Sequence, residues 1–377
     1  MDGKICSGCG ACVAVCPRNC LKLVMNDEGF FEVSDKGEGC INCGLCERVC
    51  PFVALQKKSD PVATGYFVSP DSELRAGSSS GGVCGTLSNW ALDSGVPVVG
   101  AVYDNIDNSV SHRVANNIGD SYAFRGSKYL QSDPSAIYSA MERGDCLITG
   151  TPCQIAGARL FSDVKRLKGE FSFVDFYCHG VPSYFLWSKY LNSNDLLNNT
   201  YVNFRDKSQY GWKDYTLYVQ CVDKSHCSAY LHDGDFFYSS FLSNLCLNKP
   251  CYSACPFRGT SSLADLRVGD AWGHDVAGDN LGTSVVLAYG DKGRFLLDHL
   301  DKIGGFVPEK VSVAASAQIS SGVPVPKARE SFIRALKGAS DTNLLMCKFV
   351  KPQLRKKLWR SRFEHLVAIL TGKEYEG

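Results

Sequence analysis

The stretch Cys6-Ser7-Gly8-Cys9-Gly10-Ala11-Cys12-Val13-Ala14-Val15-Cys16-Pro17 decides how the chain begins. It recurs 34 residues later as Cys40-Ile41-Asn42-Cys43-Gly44-Leu45-Cys46-Glu47-Arg48-Val49-Cys50-Pro51. This doubled Cys-x2-Cys-x2-Cys-x3-Cys-Pro spacing suits a pair of 4Fe–4S cubanes. Three cysteines two residues apart wrap one corner of a cluster, and the fourth is contributed to the other cluster. The spacing therefore groups Cys6, Cys9 and Cys12 with Cys50, and Cys40, Cys43 and Cys46 with Cys16. Pro17 and Pro51 fix φ and steer the chain away from each cluster. Gly8, Gly10 and Gly44 leave backbone N–H groups free to approach the sulfurs. A pair of zinc sites would instead use two well-separated Cys-x2-Cys pairs.

Between the two copies, residues 21–25 and 30–33 read as short strands, joined by a turn at Asn26-Asp27-Glu28-Gly29. The expected fold class is α+β: a bacterial-type ferredoxin module over residues 1–56, then an α/β, mixed-sheet domain over residues 66–310. A polar connector with Pro and Gly, residues 56–65, separates them. In the second domain, residues 96–103, 146–149, 171–177, 266–269 and 283–289 read as buried strands of the main sheet. A further strand-rich stretch covers 201–204, 215–221 and 229–231. Residues 83–91, 135–143, 154–167 and 183–191 carry helical spacing. Residues 311–377 read as a helical, basic tail, in which Lys348, Lys351, Arg355, Lys356, Lys357, Arg360 and Arg362 precede an apolar patch at 366–370. That pattern suits a solvated terminal helix or peripheral contact with a partner or membrane surface.

The bulk composition excludes several classes of function. A net charge of +1 offers no global attraction to nucleic acid or acidic membranes. No apolar run approaches the roughly 18 residues that span a bilayer, and Met1-Asp2-Gly3-Lys4 opens no signal-peptide core. The expected location is cytoplasmic. Nineteen cysteines in 377 residues then favour metal or redox chemistry over disulfides. Cys84, Cys146, Cys221, Cys227 and Cys347 stand singly and read as small buried hydrophobes; Cys20 fits no ligand spacing.

An electron wire needs a terminus, and three segments suggest one. Ser78-Ser79-Ser80-Gly81-Gly82 precedes a helix, whose free N–H groups can receive a phosphate. Arg125-Gly126-Ser127-Lys128-Tyr129 offers cations, a hydroxyl and a ring suited to a dinucleotide. Gly150-Thr151-Pro152-Cys153-Gln154 and Tyr177-Cys178-His179-Gly180 both follow strands, at the carboxyl ends where α/β proteins bind ligands. Cys153 and Cys178 could therefore meet, and Cys251 with Cys255 would complete four thiolates for a third 4Fe–4S cluster. Cys246 stands in reserve, most naturally for Cys178. Four thiolates also suit a structural zinc. No catalytic acid or base is identifiable; Asp265, Asp270 and His179 are the nearest candidates.

These residues resemble the coenzyme F420 hydrogenase/dehydrogenase beta-subunit family. The carriers are the doubled cysteine motif, Ser79-Ser80-Gly81-Gly82, Arg125-Gly126-Ser127-Lys128-Tyr129, Gly150-Thr151-Pro152-Cys153-Gln154 and the segment 251–273 with Ala264-Asp265-Leu266-Arg267-Val268-Gly269-Asp270-Ala271-Trp272-Gly273. The resemblance implies FAD beside a 4Fe–4S cluster, with Ser80, Gly81, Gly82, Lys128 and Tyr129 lining the flavin and Cys153, Cys251 and Cys255 holding the cluster. Ser79, Arg125, Ser127, Thr151 and Gln154 belong to the same cofactor-binding set. Three residues separate Cys251 from Cys255 where two are commoner. The implied activity is an oxidoreductase moving electrons between clusters, FAD and coenzyme F420, or ferredoxin with an organic substrate. The alternatives are a non-catalytic electron-transfer subunit for a redox partner protein, or a family member serving cell-surface polysaccharide biosynthesis.

Overall fold

The computed structural model of the protein describes residues 5–34, 37–54, 57–253, 255–272, 279–314 and 322–355. Gly273 and the distal part of the basic tail, with Lys356, Lys357, Arg360, Arg362 and the patch 366–370, lie outside them.

Each cysteine run folds into one short helical turn, Ala11–Ala14 and Leu45–Arg48, entered through the left-handed Gly10 and Gly44. The strands β1 (Leu23–Met25) and β2 (Phe31–Val33) form the expected antiparallel hairpin. Asn26 shapes its turn: the side-chain Oδ1 accepts from the Glu28 and Phe30 N–H groups, both at 3.0 Å.

The second part is built on a mixed sheet. Its strands are β3 (Ala63–Phe67), β4 (Val98–Asp104), β5 (Ser109–Ala115), β6 (Ser132–Asp133), β7 (Cys146–Thr149) and β8 (Phe171–Phe176). Next come β9 (Asn199–Asp206), β10 (Thr216–Cys221) and β11 (Ser225–Ala229), which form a separate three-stranded antiparallel sheet, and then β12 (Leu266–Asp270), β13 (Ser284–Ala288) and β14 (Phe306–Pro308). The nine-stranded order is β14-β3-β13-β12-β8-β7-β4-β5-β6. The middle four strands, β12, β8, β7 and β4, run parallel and are mainly apolar, as a sheet covered on both faces requires, with the buried Arg267–Asp175 pair joining β12 to β8. Antiparallel strands flank them.

Several elements differ from expectation. Strand β3 begins inside the stretch that composition marks as connector, because Thr64 and Gly65 are polar or small yet pair with β13 in the sheet interior. Strands β5, β6 and β14 carry too few consecutive apolar residues to stand out. Residues 230 and 231, expected in a strand, open the helical turn Tyr230–Asp233, and the third strand lies earlier, at β11. Residues 329–350 do not hang free: Phe332, Ile333, Leu336 and Val350 are buried in the same core as Trp187 and Tyr190, while Lys348, Lys351 and Arg355 are exposed. Among the described residues, no helix is long and apolar enough to cross a membrane.

The cysteine module is seated firmly on the sheet domain. Phe30, fully buried, enters the large aromatic core; Ala11, Val15 and Val49 join a second core beneath the helices Ser135–Arg143 and Pro152–Lys165. Gln131 reads the module's backbone, accepting from Phe31 N at 2.6 Å and donating to the Ser7 and Phe31 carbonyls at 2.9 and 3.0 Å. Glu28 accepts two bonds from the buried Arg329 guanidinium, at 3.1 and 2.7 Å.

Candidate metal centres and cofactor site

Three groups of thiols lie along the module and the sheet edge. At the module's outer end, Cys16, Cys40, Cys43 and Cys46 line one cavity, the crossed set that the spacing groups together. Cys20, which fits no ligand spacing, lines it too, and its N–H donates to Cys16 Sγ at 3.4 Å. Burial works against the Cys16 thiolate, yet N–H groups from Cys20, Arg18 and Asn19 hold its thiol below the ordinary value. Such N–H···S bonds are what an anionic cluster uses. Cys43 and Ile41 face solvent, Ile41 at 61% exposure.

Cys6, Cys9, Cys12 and Cys50 form the inner group. Burial pushes the Cys12 thiol up to about 12, and repulsion from Cys6, Cys50 and Cys46 adds to it. The Cys9 thiol is raised well above its usual value by burial and then by Cys12, Cys153 and Cys6. Several buried thiolates within mutual reach cannot ionise unless positive metal charge compensates them. Gly157 permits the next contact. A Cβ at this position would stand 3.1 Å from Cys9 Sγ and 3.3 Å from the Ala11 Cβ, so the glycine lets the inner group lie close against the helix Pro152–Lys165.

That helix starts at the third group. Strands β7 and β8 are parallel neighbours in register, Thr149 opposite Val174. Their carboxyl ends therefore deliver Cys153 and Cys178 side by side. Thr151 and Gln154 close a capping box around Pro152, with Gln154 Nε2 anchored to Ser132 Oγ at 2.9 Å and Thr151 Oγ1 3.2 Å from Cys153 Sγ. Cys251 ends the short turn Lys249–Cys251, and Cys255 follows through its N–H to the Tyr252 carbonyl at 3.0 Å. Gly180 lets the two loops close, since a Cβ there would meet Cys251 Cβ at 2.9 Å. Cys153, Cys178, Cys251 and Cys255 line one cavity with Ser7, Tyr177 and Arg258. Burial drives the Cys178 thiol up to about 12, helped by repulsion from Cys153 and Cys255.

The donor set fits a polyanionic cluster better than a lone ion. Tyr177 Oη and Arg258 Nε are buried without a hydrogen-bond partner, and Ser7 hydrogen-bonds the Cys153 side chain. Among the described residues, no three His, Cys, Asp or Glu side chains converge as one metal ion would need.

Other expected residues sit elsewhere. Cys246, the reserve ligand, is fully buried among Leu245, Leu247 and Tyr252, away from the third cavity's lining. Its thiol is pushed up to about 12 by burial alone, its neighbours Ser183 and Arg329 acting the other way. Cys227 and Cys347 are exposed, unlike the buried Cys146 and Cys221. His179 bonds Asn244 Oδ1 at 2.7 Å, Asp265 accepts from Phe173 N at 2.7 Å and pairs with Arg159, and Asp270 pairs with Arg205 at 3.0 Å. All three already hold the fold together.

The phosphate-loop residues divide. Ser80 donates to the Thr283 carbonyl at 2.7 Å, and Gly81 N–H donates to Ser284 Oγ at 3.0 Å, so both are spent on β13 and its approach. Gly82 caps the helix Val83–Asp93. Ser79 and Ser127 do meet, Oγ to Oγ at 2.9 Å. Lys128 Nζ staples the loop, donating to the Ala123 and Arg125 carbonyls, both at 2.8 Å, and burial lowers its ammonium to about 7. Arg125 covers the Tyr122 ring. Tyr129 accepts from Arg205 at 3.0 Å.

Sequence reading missed what surrounds that loop. Arg75 bonds the Gly282 carbonyl and Asp279, with its Nε left unpartnered, as is Trp212 Nε1. Lys207 Nζ reaches the Arg75 carbonyl at 2.8 Å. Arg205 lies over Tyr215 at 4.2 Å, and Trp212 packs on Trp272 at 4.5 Å. These residues come from three separated places: the helix Ser72–Gly77, the end of β9 with the stretch leading to β10, and the loop after β12. The one legible signal was Arg205, a cation in an otherwise half-apolar strand.

Residues 144–310 match the family model that describes the C terminus of the coenzyme F420 hydrogenase/dehydrogenase beta subunit, and residues 5–54 match that of a 4Fe–4S dicluster domain. The first match takes in the third group of thiols and leaves residues 79–82 and 125–129 outside. Among solved structures, a chain of the F420-reducing NiFe hydrogenase complex from Methanosarcina barkeri, studied by xenon derivatisation, aligns at 17% identity. The alignment covers 81% of this chain and 94% of that chain, with a TM-score of 0.46. No curated protein matches.

Proposed function

Because the chain belongs, over residues 144–310, to the coenzyme F420 hydrogenase/dehydrogenase beta-subunit family, and residues 5–54 form a 4Fe–4S dicluster domain, we propose a flavin-dependent oxidoreductase with three clusters in series. In this reading Cys16, Cys40, Cys43 and Cys46 hold the outer cluster, Cys6, Cys9, Cys12 and Cys50 the inner one, and Cys153, Cys178, Cys251 and Cys255 the third. FAD then lies by Ser79, Ser127, Tyr129 and the cation–aromatic set of Arg75, Arg205, Lys207 and Trp212. When bound, the clusters carry one electron at a time and the flavin accepts electrons singly or in pairs, joining them to a two-electron partner such as coenzyme F420 or an organic substrate.

The observation that supports this reading is continuity. Cys9 of the inner group lies against Gly157 on the helix that carries Cys153, and thiolates at Cys12 and Cys46, or at Cys9 and Cys153, would each disfavour the other's ionisation. The chain's own part is to hold the three groups in fixed order and to keep one end open at Cys43. Arg75, Arg205 and Lys207 would balance the charge of a diphosphate and of reduced flavin.

The test is anaerobic purification with iron, sulfide and flavin analysis. About twelve iron atoms, four for each cubane, and one FAD per chain are expected. Iron at or below about eight, with no flavin, overturns the reading.

A second reading, an electron relay without chemistry of its own, is favoured by one observation: Asp265, Asp270 and His179 are each engaged in structural bonds. Turnover by the isolated chain with reduced F420, or with reduced ferredoxin and substrate, excludes it.

A further inference from the structure

The third cavity holds more than its thiols. Two residues that line it carry buried donor atoms with no partner, Tyr177 Oη and Arg258 Nε, and a third, Ser7, hydrogen-bonds the Cys153 side chain. They arrive from unrelated places. Ser7 lies between Cys6 and Cys9 in the module, Tyr177 follows β8, and Arg258 follows Cys255. An unsatisfied buried donor is costly, and a ligand in this cavity that accepts from these atoms would relieve that cost.

Their settings are also rigid. Arg258 Nη2 is fixed by the carbonyls of His179 and Cys251 at 3.0 and 2.6 Å, which orients the guanidinium plane and leaves Nε over. Tyr177 is held under the Arg267 guanidinium, 5.5 Å from its ring centre, and that cation is neutralised by Asp175 at 2.6 Å. Ser7 is pinned through its own carbonyl by Gln131 at 2.9 Å.

Resting on the proposed third cluster, we infer that Ser7, Tyr177 and Arg258 are positioning residues that donate hydrogen bonds to that cluster's sulfurs and raise its reduction potential, so that it draws electrons from the inner cluster. Reduction adds one electron, supplied by the inner cluster, and no proton; the added negative charge falls on sulfur, where donors strengthen. Ser7 is the unusual member, because it belongs to the inner cluster's binding loop while serving the next cluster. The downhill step is thus written into the seam between the two parts of the chain.

The experiment is an anaerobic redox titration of the full holoprotein followed by electron paramagnetic resonance, with iron counted in each sample. Ser7→Ala and Tyr177→Phe should each lower the third cluster's midpoint, a tenfold loss in its reduction equilibrium corresponding to about 59 mV for one electron. The outer cluster's midpoint should stay in place, and all iron should be retained. Two variants guard against local damage, since Tyr177→Phe removes only a hydroxyl. An unmoved third midpoint at full iron in both overturns the donor role. A wild-type protein with only about eight irons removes the third cluster itself, a different failure that sinks the underlying reading and the inference with it.

Discussion

The cavity at the module's outer end takes all its thiols from residues 16–46, whereas the cavity over the sheet takes its four from positions 153, 178, 251 and 255. The outer one is set by a short motif, one helical turn and a left-handed glycine, and it opens to solvent at Cys43 and Ile41. The third cavity exists only because two parallel strands end side by side and a distant loop folds back across Gly180. Similar ligand chemistry can be written locally or assembled globally. The global version should be the more selective in loss and the more sensitive to the surrounding fold.

Ligand removal should show that contrast most strongly. Cys153→Ala is expected to lower iron from about twelve to about eight atoms per chain, with the module's two clusters retained because their thiols are local. Loss of all iron would show that the two parts are not independent in this sense. The seam between them gives the next largest effect. Phe30→Ala empties a fully buried site and should cost about 3–5 kcal/mol, read as a lowered denaturation midpoint. A midpoint unchanged to within error would mean that the module is only loosely seated.

Acid should act on the sheet domain before it acts on the module. His112 is buried on β5 with Nε2 3.0 Å from the Thr149 carbonyl, and burial lowers its imidazole to about 4 from 6.5. Between those values the unfolded chain binds a proton that the folded chain refuses. Stability is therefore full above pH 6.5 and declines as the pH falls toward 4, by about 3 kcal/mol from this group. His112→Gln should flatten the decline in pH-dependent denaturation; an identical slope would place the effect on another group. The smallest effect concerns the thiol left out of the third cavity. Cys246→Ala should keep about twelve irons and cost only about 1–2 kcal/mol for the lost packing. Loss of four irons would return Cys246 to the ligand set.

How far each part was legible depends on the same contrast. The module's crossed ligand grouping needed only counting, because cubane geometry fixes which cysteines of a doubled run can meet. Strands β7 and β8 and the helix Ser135–Arg143 were legible because buried parallel strands and amphipathic helices carry strong patterns. Ser80 and Gly81 bond the approach to β13, a use that a small-residue loop before a helix does not announce. Arg75, Lys207 and Trp212 were illegible, since nothing local tells a surface cation or ring that it will face a loop from elsewhere in the chain.

The sequence alone determined the two-cluster module, the mixed α/β character of the larger domain and the presence of enough further cysteines for another centre. It could do so because those features depend on neighbours within a few residues. Tertiary structure alone decided that Cys178 rather than Cys246 joins the third cavity, that Cys20 lies against the outer one, and that Ser7 reaches from one centre to the next. Those outcomes depend on which strand ends lie adjacent and which loops cross them, and strand pairing between distant segments leaves no periodicity for a linear reading to detect.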